Sequence, residues 1–201
     1  MAKRVILALL VLTLAAGGAF AQISAGAGGN FAVGWDSLKI DPIENLITTT
    51  GGGFYVFFDA TYVEVDIGLL FGSLKSKASG GGFSAELDGP DVSILTLALF
   101  GKYPIDLGGF TLFPMLGIQL DIGLSSKLNG VELDSSDVAD ALNRFWIKLG
   151  VGADFNLSEQ LYLRPSILYG LNFGTANLRD IEVDSAICHG LDIRVALGFR
   201  F

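Results

Sequence analysis

Apolar and polar side chains alternate along much of the chain. The C-terminal stretch LDIRVALGFRF is apolar at every second position counted back from Phe201, and Asp192, Arg194 and Arg200 stand among the positions between. A period of two puts successive side chains on opposite faces of an extended strand. This stretch therefore predicts a β-strand with one apolar face and one face of small and charged residues.

The same period recurs in seven further segments. They are residues 23–35, 54–58, 62–72, 93–103, 110–124, 144–155 and 161–173. The segment FYVFF is apolar on both faces, so its orientation is not predicted. Short turns alternate with long polar segments, namely 59–61, 104–109 and 156–160 against 36–53, 73–91, 125–143 and 174–190. This alternation of short and long connections predicts an antiparallel meander of eight strands, with the short turns at one end and the long loops at the other.

The composition indicates an apolar environment. Hydrophobic residues make up 51% and charged residues 17% of the 201 positions, whereas charged residues are about a quarter of an average soluble domain. Beyond the N-terminus, no apolar run reaches the ~18 residues of a transmembrane helix. The predicted strands can cross a bilayer, which takes about 9–11 tilted residues. In lipid such a sheet must close on itself, because every backbone polar group needs a partner.

The two strand faces differ in volume, and this decides which face lies inside. Eight strands enclose a bore that side chains just fill. The bulky apolar face would overfill that bore, whereas the face of glycine, alanine and charged residues fits it. The sequence therefore predicts an all-β fold, an eight-stranded antiparallel up-and-down transmembrane β-barrel. A soluble barrel or sandwich with the apolar face inside is the alternative.

The N-terminus has the pattern of a secretory signal peptide. A basic pair and an apolar segment at residues 5–16 precede the small-x-small site AFA. The predicted cleavage lies between Ala21 and Gln22, which makes residues 1–21 the signal peptide and residues 22–201 a single barrel domain. A permanent helical anchor is the alternative, but a Gly-Gly pair ends the apolar segment short of a membrane span.

The chain resembles the small eight-stranded outer-membrane barrels of the OmpA and OmpX type. The resemblance covers residues 22–201 and rests on the strand pattern together with the end IRVALGFRF. It implies a monomer in the bacterial outer membrane with both termini in the periplasm. It also implies that the barrel-assembly machinery reads the terminal aromatic residue and the alternate apolar positions before it, which are Phe201, Phe199, Leu197, Val195 and Ile193.

Charged residues on the small-residue face are predicted to pair inside the barrel. The predicted set is Glu64, Asp66, Lys102, Asp121, Arg144, Lys148, Asp154, Arg164, Asp192, Arg194 and Arg200. Matched heights on neighbouring strands give three predicted contacts, which are Glu64 with Lys102, Asp154 with Arg164, and Asp121 with Arg144 or Lys148. Such a nearly neutral set predicts a plug rather than a conducting channel, although desolvation offsets much of the attraction between buried ions.

Phe113, Met115 and Leu168 are also predicted to point inward, and they support a second hypothesis. Apolar side chains in the bore favour a narrow transporter of small apolar molecules, as a resemblance to the OmpW type would imply. If these three side chains lined one pocket, transport would be supported. A continuous layer of salt bridges across the lumen would support the plug.

The long polar segments are acidic, since thirteen acidic and five basic residues lie in them. Nucleic acid is excluded as a partner, because binding a polyanion requires Lys and Arg to replace its counterions. The predicted partners are outer-membrane lipid, the barrel-assembly machinery, and host or environmental molecules at the loops. The predicted role is structural or adhesive.

Candidate catalytic chemistry is sparse. The only histidine, His189, directly follows the only cysteine, Cys188. Adjacent residues of a strand point to opposite faces, so the two side chains do not converge as a base and a nucleophile. No catalytic residue, cofactor or metal site is predicted. A lipid-modifying enzyme of the outer membrane stays open as an alternative, with His189 as its indispensable residue.

Overall fold

The computed structural model describes residues 22–40, 43–80, 83–128, 130–132, 142–172 and 185–201. The predicted signal peptide, residues 1–21, lies outside the described residues. So does most of the acidic sequence in the last two predicted loops.

Ten strands make up a single sheet in the described part of the chain. They are β1 (Ile23–Ile40), β2 (Ile43–Ala60), β3 (Val63–Gly80), β4 (Phe83–Lys102), β5 (Ile105–Asp106), β6 (Phe110–Leu128), β7 (Val131–Glu132), β8 (Arg144–Asn156), β9 (Leu161–Asn172) and β10 (Ser185–Arg200). β5 and β7 have two residues each and pair with β6. The other eight strands are long.

The eight long strands form a closed antiparallel barrel. Each pairs with the next along the chain, with β6 following β4 and β8 following β6, and β1 pairs with β10 to close the sheet. The Phe201 N–H donates to the Ile23 carbonyl at 3.0 Å, so the start of β1 and the end of β10 meet at one rim. We call this rim the turn end and the opposite rim the hairpin end. The eight-stranded up-and-down barrel predicted from the sequence is confirmed.

The two faces of the barrel wall have the predicted polarity. Leu149 on β8 and Val195 on β10 point outward and are 61% and 50% exposed, whereas Arg194, between the β10 apolar residues, is 6% exposed. The structure also orients β2, because Phe54 is exposed and Tyr55 is buried. Apolar side chains therefore cover the outside, and charged side chains lie within the bore.

Aromatic side chains mark the edges of the outward apolar belt. At the turn end Phe199 contacts Phe201, with ring centroids 5.5 Å apart. Toward the hairpin end the ring of His189 lies 5.3 Å from Trp35 and 6.0 Å from Tyr169. From His189 to Phe199 the strand runs about 33 Å at about 3.3 Å per residue. A tilt of about 40° reduces this to a height of about 25 Å, the height of the apolar band in membrane barrels.

The strands reach further than the sequence pattern predicts. The pattern predicts loops at residues 36–53 and 73–91, but β1 continues to Ile40, β2 begins at Ile43, β3 continues to Gly80 and β4 begins at Phe83. Beyond the lipid both faces of a strand can meet water, so apolar alternation stops while backbone pairing continues. Half of the barrel wall therefore rises as two tall hairpins at the hairpin end.

Candidate functional site

Arg164 is the centre of an ion-pair network near the turn end. Its side chain is 2% exposed. Its Nε and Nη2 donate to the two carboxylate oxygens of Asp154 at 2.6 and 2.8 Å, and Nη2 also donates to Asp59 at 2.7 Å. Its Nη1 pairs with Glu64, and Lys102 bridges Glu64 and Asp59. These five residues, the turn-end cluster, join β2, β3, β4, β8 and β9 across the lumen.

A second network surrounds Arg194 further from the turn end. Arg194 donates from Nη1 to Asp66 at 2.7 Å and from Nε to Asp192 at 2.8 Å. Its Nη2 donates to the side-chain carbonyl of Gln119 at 3.2 Å, and Lys148 donates to Asp192 at 3.1 Å. These five residues, the central cluster, join β3, β6, β8 and β10. The two arginines thus tie opposite walls of the barrel together.

Apolar and aromatic side chains fill the space around the two networks. Phe113, Met115 and Leu168 form one buried cluster with Ala98 and Phe100. Each of these three is at most 3% exposed, so the residues that suggested transport form a packed layer.

Aromatic rings contact both arginines directly. The Arg164 guanidinium carbon lies 4.7 Å from the Phe57 ring centroid and 4.9 Å from that of Phe113. The Arg194 guanidinium carbon lies 5.1 Å from the Tyr55 ring centroid. Such contacts favour a desolvated cation. The rings therefore close the bore and also stabilise the buried charges.

Inward-facing glycines make room for these rings. A Cβ added to Gly198 would lie 2.1 Å from Cζ of Tyr162, and the Tyr162 hydroxyl is held by Ser24 Oγ at 2.8 Å. The ring therefore cannot move away freely. Glycine at this position lets the neighbouring aromatic side chain lie flat against the barrel wall.

Replacing Gly198 with alanine is expected to destabilise the barrel by about 1–3 kcal/mol, the usual cost of overpacking. Gly29 is the matched control, because a Cβ there would meet its nearest atom at 3.5 Å, an ordinary contact. Urea unfolding of both variants in lipid vesicles measures the difference. Equal stability of the two variants would contradict the packing argument.

The structure changes one of the three predicted ion pairs. Asp121 pairs with neither Arg144 nor Lys148. It accepts from Gln119 Nε2 at 2.6 Å and from Trp146 Nε1 at 2.7 Å. The reason is the narrow bore, in which the long Arg144 and Lys148 side chains reach carboxylates on more distant strands. The other two predicted contacts, Glu64 with Lys102 and Asp154 with Arg164, are present.

Two lumenal carboxylates lie where the sequence pattern predicts connections. The pattern predicts a turn at Asp59, but this residue is 3% exposed within the turn-end cluster. It predicts a loop at Asp36, but this residue is buried and pairs with Arg144 at 2.7 Å. Both continue the period-two pattern of their strands, so extending that pattern by one or two residues would have found them.

Arg200 lies at the rim of the lumen and not inside it. It donates to Asn156 Oδ1 at 2.6 Å, and its Nη2 is 3.9 Å from Asp154. Its side chain is more exposed than those of the two clusters, at 16% against 2% for Arg164. Arg200 therefore borders the turn-end cluster from the water side.

A small cavity lies beyond the central cluster toward the hairpin end. Its volume is about 60 Å³, and its lining includes Asp121 and Trp146 on one side and Leu70 and Ile94 on another. That volume corresponds to about two water molecules at liquid density, about 30 Å³ each. The cavity is too small for an organic solute without movement of its walls.

Comparison with known families identifies the architecture. The sequence model of the family described as outer membrane protein beta-barrel domain matches residues 6–201. The chain belongs to this family. It is therefore a protein of the bacterial outer membrane, as predicted. No curated protein sequence matches the chain.

Solved structures similar to this outer-membrane barrel have low sequence identity. Neisserial surface protein A is 10% identical, with 89% of this chain and 97% of that chain covered and a TM-score of 0.48. A major outer membrane protein from Thermus thermophilus is 17% identical, with coverages of 86% and 99% and a TM-score of 0.47. The attachment invasion locus protein Ail of Yersinia pestis is 11% identical, with coverages of 90% and 99% and a TM-score of 0.42.

The only histidine of this outer-membrane barrel packs between aromatic rings on the wall. His189 lies between Trp35 and Tyr169, whereas Cys188 is next to it on β10, where side chains alternate between faces. Within the described residues there is no group of three side chains suited to a metal ion. No described helix has the length and apolar character of a transmembrane helix.

The predicted assembly residues lie together on the outer face of β10. They are all exposed, from 42% at Phe199 to 77% at Phe201, and comprise Ile193, Val195, Leu197, Phe199 and Phe201. Phe201 lies just beyond the last residue of the strand. From Ile193 onward, the outward face of β10, together with Phe201, is therefore continuously apolar.

Proposed function

We propose that this outer-membrane barrel is a sealed protein with a structural or adhesive role. The observation that carries the proposal is the double network around Arg164 and Arg194. Each arginine binds side chains from three strands, and aromatic layers fill the space beside it. A solute would have to break these networks to pass along the axis.

The energetics support a closed lumen. Removing one partner of a buried ion pair typically costs about 3–5 kcal/mol. Arg164 alone holds three carboxylates, namely Asp59, Glu64 and Asp154. An open state that releases this arginine would be rare, because every 1.4 kcal/mol lowers its population about tenfold.

We expect no steady, ion-selective conductance when the folded barrel is inserted into planar lipid bilayers. A variant with Arg164→Ala, Phe113→Ala and Arg194→Ala is the positive control, because it removes the arginine of each network and a ring beside Arg164. That variant is expected to leak ions. A stable wild-type pore would contradict the proposal.

The tall hairpins supply the contact surface in this proposal. Beyond Phe71, β3 continues to Gly80 and rises by about 23 Å, at about 3.3 Å per residue and a tilt of about 40°. Lys75 and Asp88 face outward there, 3.5 Å apart, with side chains 59% and 87% exposed. Exposed pairs of this kind add little to stability, so they are free to exchange partners. With the termini in the periplasm, the hairpins face the cell exterior, where host or environmental molecules are the partners.

The barrel-assembly machinery is the proposed partner during biogenesis, with Phe201 as the recognised residue. Replacing Phe201 with alanine is expected to lower the amount of assembled protein in the outer membrane about tenfold, equivalent to about 1.4 kcal/mol of binding. Tyr103→Ala is the control, because Tyr103 is an aromatic residue at the same end and is 66% exposed. Heat-modifiable gel mobility of membrane fractions measures assembly. Equal losses in both variants would exclude a specific role for Phe201.

A second candidate function is passage of small apolar molecules through the hairpin half of the lumen. It is favoured by the buried apolar cluster of Leu70, Val92, Ile94 and Leu142, which adjoins the 60 Å³ cavity. Faster entry of an apolar dye into barrel-containing vesicles with Leu142→Ala than with the wild type would favour it. We propose no catalytic role, because the only histidine packs against Trp35 and Tyr169 on the wall.

A further inference from the structure

We propose that the turn-end mouth of the barrel binds a protonated primary amine carried on a slender alkyl chain. A cavity of about 260 Å³ lies at this mouth, outside the turn-end cluster. Its lining combines buried Asp59 with the exposed Asp106 of β5, and with Ser24, Thr61 and Thr111. Pro104 and Phe113 also line it, so the cavity offers apolar as well as polar surface, and it extends from the rim to residues of the buried ion pairs.

Asp59 lines this cavity and has one carboxylate oxygen without a partner. Its Oδ2 already accepts from Lys102 and Arg164. Its Oδ1 is buried and has no hydrogen-bond partner among the described residues. Buried carboxylate oxygens are nearly always paired. An ammonium group entering from the mouth would supply the donor that Asp59 Oδ1 lacks once the carboxylate turns toward it.

The charge of the cavity favours a cation over an anion. Asp59, Asp106 and Asp154 line it against Lys102 and Arg200, which leaves one net negative charge. Lys102 is held by carboxylates, and Arg200 by Asn156 and Asp154. Neither cation is therefore available to an anion without breaking an existing contact.

The size of the cavity limits the ligand to a small molecule or one side chain. A volume of about 260 Å³ corresponds to roughly eight or nine water molecules at about 30 Å³ each. A primary ammonium brings three N–H donors, which suits Asp59 with nearby carboxylate and hydroxyl oxygens. A free linear diamine and the end of a lysine-type side chain share this chemistry.

Isothermal titration of the folded barrel in detergent micelles with 1,5-diaminopentane tests the proposal. We expect one binding site per barrel. The diacetylated diamine, which carries no charge, is expected not to bind. Amide NMR shifts on titration are expected at Thr61, Asp106 and Thr111 and not at the hairpin end.

Three variants locate the site. Asp59→Asn is expected to weaken binding at least about tenfold, because hydrogen bonds to a charged partner are the strong ones. Asp106→Asn is expected to weaken it about two- to fivefold, as for a partly solvated charge. Thr111→Lys places an ammonium in the cavity and is expected to abolish binding, which keeps the test decisive if Asp59→Asn fails to fold. Asp88→Asn at the hairpin end is the matched charge control.

The titrations distinguish results that overturn the proposal from results that identify the source of the amine. No binding of either amine, equal binding of the diacetylated diamine, or equal weakening by Asp88→Asn and Asp106→Asn would each overturn the proposal. Nα-acetyl-lysine amide serves as the second probe. Tighter binding of this probe than of the diamine assigns the site to a lysine-type side chain, and weaker binding assigns it to a free diamine. The result is independent of conductance, so it stands apart from the proposed sealed lumen.

Discussion

Replacing Arg164 with methionine is expected to destabilise the folded barrel by about 3–5 kcal/mol, the usual cost of breaking a buried ion pair from one side. Methionine fills similar space but leaves Asp59, Glu64 and Asp154 without their shared cation. Mutual repulsion of these carboxylates in a bore of low dielectric adds to the loss of hydrogen bonds. Urea unfolding of the barrel from lipid vesicles, followed by tryptophan fluorescence, to which buried Trp146 contributes, gives the free energy.

Arg200→Met is the matched control for this prediction. Arg200 carries the same charge on β10, but it lies at the rim, where its side chain makes one hydrogen bond, to Asn156, and a long ion contact of 3.9 Å with Asp154. Its loss is expected to cost under about 1 kcal/mol, as for an exposed ion pair. Equal effects at Arg164 and Arg200 would mean that the buried network does not hold the walls together. Partial recovery of the Arg164→Met variant by adding Glu64→Gln and Asp154→Asn would confirm that unpaired charge causes the loss.

Replacing Leu149 with arginine is expected to cost about 2–4 kcal/mol, the penalty for a cation on the lipid face near the bilayer midplane. Leu149 is 61% exposed on the outer wall and lies midway along β8 between Phe145 and Phe155. The added charge would sit among acyl chains, which offer it no carboxylate. Equilibrium unfolding from vesicles measures the loss.

Leu157→Arg provides the comparison for the lipid face. Leu157 is similarly exposed, at 57%, but it lies in the turn between β8 and β9, beyond the apolar belt. The same substitution there is expected to change stability by about 0–1 kcal/mol. If both variants lost equal stability, Leu149 would not face lipid, and the inside-out arrangement of the barrel would be wrong.

The sequence alone predicted the strands and their faces well. Leu149 and Val195 lie outside and Asp192 and Arg194 inside because side-chain direction alternates with a strict period of two along any strand. This relation is local, so it needs no knowledge of neighbouring strands. Closure into a barrel also followed from the sequence, because an open sheet cannot pair its edge strands in lipid.

The sequence could not predict which charges meet inside the lumen. Asp121 and Arg144 are directly paired in register on β6 and β8, yet Arg144 reaches Asp36 on β1 and Asp121 binds Trp146. Contacts across a narrow bore depend on strand tilt, on side-chain length and on the space that glycines leave. None of these quantities is encoded in the order of residues along one strand.

The ends of the strands show the same division between local and tertiary information. Within the lipid belt the apolar alternation determined each strand and its orientation, because the hydrocarbon tolerates no other outward face. Beyond the belt, Ser73–Gly80 carries no such pattern, and only its pairing with β2 and β4 decides that it remains a strand. Contact with lipid requires each outward side chain to be apolar, whatever its neighbours are, so this feature can be predicted from the sequence. The height of the hairpins and the ion pairs in the lumen depend on backbone and side-chain partners that only folding brings together.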